Sequence, residues 1–98
     1  MKIPSASNLA KVKMLEPIIP TVEDNTSGCE LLVEMIDGTV GDYLNEGGIE
    51  LEEKYNNIDA FFSSTGLEQR DLPEVDTEIT TAIQSVYPNV KNVYVLNL

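Results

Sequence analysis

Residues 29–46 read Cys-Glu-Leu-Leu-Val-Glu-Met-Ile-Asp-Gly-Thr-Val-Gly-Asp-Tyr-Leu-Asn-Glu, and whether they run as strands or helices decides the fold class. As a strand, Cys29, Leu31, Val33 and Met35 line one face, and Glu30, Leu32, Glu34 and Ile36 line the other. As a helix, Cys29, Leu32, Val33 and Ile36 form a stripe, with Ser27 and Glu30 as a capping box. The run is short and ends in Asp37-Gly38, a good hairpin turn, so the strand is favoured. From Thr39 to Glu46 the balance differs. Thr39 can cap a helix with Val40, Tyr43 and Leu44 on one side, while Gly41 weakens it and leaves a second hairpin strand as the alternative.

Moving toward the C-terminus, Gly47-Gly48 reads as a turn. Ile49, Leu51 and Tyr55 then fall on one side of a half-buried strand, opposite Glu50, Glu52 and Lys54, and Glu53 interrupts the apolar side. Asn57 caps a short helix with Ile58, Phe61 and Phe62 inward, closed by Gly66 with Leu67 behind it. Asp71 and Glu74 supply a second capping signal around Pro73. The helix after it carries Val75, Ile79, Ala82, Ile83 and Val86 at helical spacing until Tyr87-Pro88-Asn89 breaks it. Val90 to Leu98 is apolar on both faces, the pattern of a central strand or of one covered by a partner.

Toward the N-terminus, residues 21–28 are polar and read as an exposed loop. Pro17 and Pro20 impose an extended connector. Residues 5–15 fit a helix or a lysine-protected edge strand. The expected architecture is one α+β domain over residues 1–98, with a mostly antiparallel sheet, two helices in residues 57–87 and residues 1–20 as an arm.

Composition narrows the chemistry. A chain of 98 residues, 42% apolar, can bury roughly two-thirds of its unfolded surface in one modest core. It lacks the ~20 consecutive apolar residues of a membrane span, and no secretory signal follows Lys2, so a soluble cytoplasmic protein is expected. Cys29 stands alone, which suits a reducing compartment and a small core hydrophobe better than a nucleophile. The chain has no histidine, which removes imidazole acid-base catalysis, the Ser-His and Cys-His nucleophiles and His-containing zinc sites. No phosphate-binding glycine pattern is present. No enzymatic activity, cofactor or metal is expected.

Charge is the strongest signal. The formal net charge is −11, and residues 16–53 hold eleven acids with no Lys or Arg. Such a field repels nucleic acid and anionic membrane and attracts basic surfaces. The acids expected to meet a partner are Glu30, Glu34, Asp37, Asp42, Glu46, Glu50, Glu52 and Glu53. The function this favours is a non-enzymatic protein whose acidic surface engages a basic protein, as an inhibitor presenting carboxylates where nucleic-acid phosphates would sit. Small viral or phage inhibitors are the analogy. The alternative is an assembly subunit, a virion or homo-oligomer component using its apolar C-terminal strand.

Two local patterns bear on this. Glu23, Asn25, Ser27, Gly28 and Glu34 fall at calcium-loop spacings, but the usual first Asp, the second loop and the entering helix are missing. Residues 38–44, Gly-Thr-Val-Gly-Asp-Tyr-Leu, resemble the helix start of ubiquitin-like sulfur carriers over seven residues. Those carriers end in Gly-Gly whereas this chain ends Leu96-Asn97-Leu98, so the family is not assigned. Size and charge also resemble acyl carrier proteins, without their Asp-Ser-Leu attachment site.

Overall fold

A computed structural model of the protein describes residues 20–97. The elements run α1 (Pro20–Asn25), β1 (Cys29–Met35), β2 (Val40–Asn45), β3 (Ile49–Tyr55), α2 (Ile58–Thr65), a 3-10 turn (Gln69–Asp71), α3 (Thr77–Gln84) and β4 (Val90–Asn97). The four strands form one antiparallel sheet in the order β3-β2-β1-β4, confirming the α+β class. The N-terminal helix-or-strand reading, the proline connector before Pro20 and the final Leu98 lie outside the described residues.

Alternation on β1 divides the interior in two. Leu31, Val33 and Met35 enter one core with Val22 of α1, Ile79 and Ile83 of α3, and Val90 and Val93 of β4. Leu32 enters the other with Val40, Leu96 and Phe61 of α2. Each fully buried aliphatic side chain contributes about 1.5–3 kcal/mol, so the two faces together explain how so small a chain holds its shape.

Residues 40–45 are a strand, not the helix that Thr39 suggested. The cap is already engaged, because the Thr39 N–H and hydroxyl both donate to Asp37 Oδ1, at 3.0 and 2.7 Å. Those bonds hold Thr39 in the tight β1–β2 turn, from which the chain continues as a paired strand. As a strand the segment buries Val40 on one face and Tyr43 on the other, and the resemblance to the sulfur-carrier helix ends there.

Residues 20–25, read as connector and loop, form α1. Pro20 suits a first helical turn, where its missing N–H matters least. Val22 is fully buried, the Thr26 hydroxyl donates to the Val22 carbonyl at 2.7 Å, and Asn45 Nδ2 donates to the Glu23 carbonyl at 2.7 Å. A buried asparagine from β2 therefore fixes a segment that is polar in sequence.

The two later helices sit where expected, with one shift. Asn57 Oδ1 accepts the Ala60 N–H at 2.8 Å to open α2, and Gly66, at φ 79°, closes it. α3 starts at Thr77 and is capped by Asp76, whose Oδ1 accepts the Ile79 N–H at 3.0 Å. Asp71 instead accepts the Glu68 N–H at 2.8 Å, capping the 3-10 turn, so the Asp71/Glu74 box does not serve α3. Val75 precedes the helix and Val86 follows it, exposed.

Among the described strands β4 lies at an edge of the sheet, not in its centre. Helices cover both its faces, and the start of α3 occupies its rim. The Val93 N–H donates to Thr80 Oγ1 and the Val93 carbonyl accepts the Asp76 N–H, both at 2.9 Å. Gln84 Nε2 donates to the Val90 carbonyl at 2.9 Å. The apolar pattern of residues 90–97 thus reflects burial within the chain and a covered edge. Cys29 is half-buried at the end of β1, outside both core clusters.

A candidate acidic binding face

A β-bulge builds the site. Asp42 pairs with Glu53 and the next residue, Tyr43, pairs with Leu51, leaving Glu52 as the extra residue on β3. The bulge shifts the phase of the strand. Ile49 and Leu51 pack into the α3-side core while Tyr55 packs into the α2-side core, so the three do not share a side as the plain alternation implied. The residue that interrupted the pattern, Glu53, marks the bulge. Its effect is to bring Glu52 and Glu53 beside Asp42.

On the neighbouring strand, Glu30 stands diagonal to Asp42, since Glu30 pairs with Leu44 and Leu32 pairs with Asp42. Four carboxyl groups from three strands therefore converge on Asp42, Glu30, Glu52 and Glu53. Asp42 is the unusual member. It is 9% exposed, and its Oδ1 is buried with no hydrogen-bond partner. Burial, a hydrogen bond with Glu30, and the negative charges of Glu30, Glu52 and Glu53 push its carboxyl from 3.8 up to about 8. Burial and these neighbouring negative charges thus favour the protonated form of Asp42, which can donate to Glu30.

Among the described residues no ion pair involves this cluster. The one ion pair among them is Arg70–Glu68, at 2.8 Å and largely exposed, away from these strands. An exposed pair of this kind is worth at most about 1 kcal/mol. Lys54 pairs with Gly41, one step along the strand from Asp42 and on the alternate face.

The other acids expected at the surface separate. Glu50 pairs with Leu44 and extends the cluster along β3. Glu34 accepts a 2.9 Å hydrogen bond from Asn92 Nδ2 and is tied to β4. Asp37 lies in the β1–β2 turn and Glu46 in the β2–β3 turn, at opposite ends of β2. The calcium-loop spacing does not close into a loop, because residues 23–34 divide among α1, a turn and β1. Among the described residues no group of three or more His, Cys, Asp or Glu is arranged to hold a metal ion.

Beside the cluster lies a cavity of about 480 Å³, lined by Glu30, Leu67, Asp71, Leu72, Pro73, Val95, Leu96 and Asn97. Glu30 belongs to both. Sequence reasoning missed the cavity, since its walls come from the 3-10 turn region and the end of β4. It counted Asp42 only as one acid among eight. The available signal was Val40-x-Asp42-x-Leu44 read as a strand, which sets one acid between two apolar residues on a single face.

No family model matches the chain, and comparisons with curated proteins and with solved structures find no match. No described helix is long and apolar enough to cross a membrane.

Proposed function

We propose that this chain is a non-enzymatic binding protein whose acidic face, centred on Glu30, Asp42, Glu50, Glu52 and Glu53, engages a basic protein surface. An inhibitor that occupies a nucleic-acid-binding groove is the form this takes. The observation that carries the reading is the convergence of these carboxylates with no ion-pair partner among the described residues. A sequence selected for stability alone has little reason to set Glu53 directly opposite Asp42, because like charges paired across strands repel. A basic partner would remove that repulsion on binding and speed encounter through long-range attraction. The reading carries an intracellular, reducing location, in keeping with a single free thiol.

The test is capture from lysate by the immobilised protein at low and moderate salt, with duplex DNA as competitor. A stoichiometric basic protein should be retained at low salt, released as the Debye length shrinks toward about 8 Å, and displaced by the DNA. The Glu50→Gln, Glu52→Gln, Glu53→Gln triple variant should lose it. Retention that ignores both salt and the triple substitution would refute the reading.

A further inference from the structure

We infer that the α2-side sheet face around Leu44 is a docking surface for the lysine-bearing segment 1–19 of the same chain, which a basic partner has to displace. The inference rests on the reading above and adds its regulation. α2 closes only one end of this face. Leu32, Val40 and Leu96 pack with Phe61 there, whereas Leu44, four residues along β2 from Val40 and on the same side, joins neither described core. Leu44 is half-buried and stands between Glu30 on β1 and Glu50 on β3, its direct partners across the sheet. The next row sets Asp42 against Glu53. An occupant of this surface has to offer an apolar group to Leu44 and positive charge to the carboxylates on either side of it.

The charge of the chain is divided in a way that names the occupant. Residues 1–19 carry Lys2, Lys11 and Lys13 against one acid, Glu16, whereas the rest of the chain carries sixteen acids against Lys54, Arg70 and Lys91. Of those other cations, Arg70 pairs with Glu68, and Lys54 lies on the alternate face of the sheet. The segment supplies the apolar component as well, since Leu9, Val12, Met14 and Leu15 are interspersed with Lys11 and Lys13. Its reach is sufficient. Nineteen residues can span about 60 Å, and the longest dimension of the fold is 32 Å. Attachment at Pro20 makes the contact intramolecular, with an effective concentration on the order of mM, so ion pairs that are individually weak can sum to occupancy. A second copy is the poorer occupant, because it would bring two chains of net charge −11 together.

The experiment uses the full chain at low concentration. A water-soluble carbodiimide couples an amine to a carboxylate in contact with it, and mass spectrometry of the monomer locates the bond. The expected result is coupling of Lys11 or Lys13 to Glu30, Glu50 or Glu53 at low salt, lost at high salt. The Leu44 methyl resonances should shift in the triple variant Lys2→Gln, Lys11→Gln, Lys13→Gln. That variant should also bind hexa-arginine roughly threefold tighter than wild type, the gain from a face covered about two-thirds of the time. The control variant Lys54→Gln, Arg70→Gln, Lys91→Gln changes the net charge equally and should gain less than half as much. Coupling confined to other carboxylates, or equal gains in the two triple variants, would overturn the cis contact and leave the acidic face standing. No hexa-arginine binding by any of the three proteins would refute the acidic-face reading itself, and this inference with it.

Discussion

Replacing Asp42 with Asn tests the electrostatics of the acidic face without altering its shape. Asn is nearly isosteric, and its Nδ2 can donate to Glu30 as the protonated carboxyl does. It does not titrate. In the wild-type protein, folding raises the Asp42 pKa from 3.8 to about 8. Below the lower value both folded and unfolded chains hold the proton, and the stability it supports is fully present. Between the two values the unfolded chain releases the proton while the folded chain keeps it, so stability falls as pH rises and levels off above about 8. A fully isolated carboxyl would lose ~1.4 kcal/mol per pH unit across that window. Because Glu30 shares the proton, roughly 3 kcal/mol between pH 5 and 9 is the size expected for the pair.

The prediction concerns the difference between the two proteins. At pH 5 the unfolded wild-type chain has already released the Asp42 proton, so the difference between the two proteins at that pH is the baseline from which the gap grows. From pH 5 to pH 9 the gap should widen in the variant's favour by roughly 3 kcal/mol, a large share of the ~5–15 kcal/mol that holds a typical domain together. Urea unfolding followed by circular dichroism at five pH values and fixed ionic strength measures this directly. General repulsion among the remaining carboxylates is common to both proteins and drops out of the difference. A stability gap that stays constant from pH 5 to 9 would refute the reasoning, because Asp42 would then titrate alike in the folded and unfolded chains.

Three further substitutions probe the scaffold. Phe61→Ala removes the fully buried ring that meets Tyr55 edge-on at 5.5 Å, and should cost ~3–5 kcal/mol in chemical denaturation; a loss below 1 kcal/mol would contradict the α2-side core. Gly66→Ala forces a Cβ onto a backbone at φ 79°, where no other atom lies within 4 Å. The expected cost is therefore conformational, about 1 kcal/mol by thermal melting, and a neutral result would exclude the left-handed helix stop. Thr80→Val leaves the Val93 N–H without its acceptor and should cost ~1–3 kcal/mol. Faster amide exchange at Val93 than in wild type checks it, and unchanged exchange would show that the edge cover does not depend on this bond.

Elements governed by local chemistry were the legible ones. Asn57 and Gly66 frame α2 in sequence as in space, and Asp37-Gly38 turns β1 into β2. What the sequence hid depended on partners distant along the chain. α1 is held by Val22 burial and by Asn45, twenty-two residues from the Glu23 carbonyl it binds. β2 defeats its helical reading because Thr39 bonds to Asp37 and because cores exist on both faces of the sheet. β4 looks central by composition, yet it gains its second cover from α3 rather than from another strand. For the site, the excess of acid was plain in residues 16–53, but its focus was not. Only the two-for-one pairing at Glu52 and Glu53 reveals which acids meet.

That bulge links the scaffold to the proposed recognition. The sheet has two rims, and they are protected by different means. β4 is covered by hydrogen bonds donated by Asp76 and Gln84 and one accepted by Thr80. β3 carries Glu50, Glu52, Glu53 and Lys54 with an irregular register, and charge together with a bulge discourages strand addition. Protection of an edge explains charges on β3 that point to solvent. It does not explain a carboxyl on the interior strand β2, buried and faced by two more acids. An apolar residue there would continue the surface formed by Leu32 and Val40 and remove the desolvation penalty altogether. Departures from the stability-favouring choice are expected where function needs them. Asp42 is such a departure, and it adjoins the one residue, Glu30, that also lines the cavity. The physical case for recognition at this face therefore rests less on the net charge of the chain than on this single buried carboxyl.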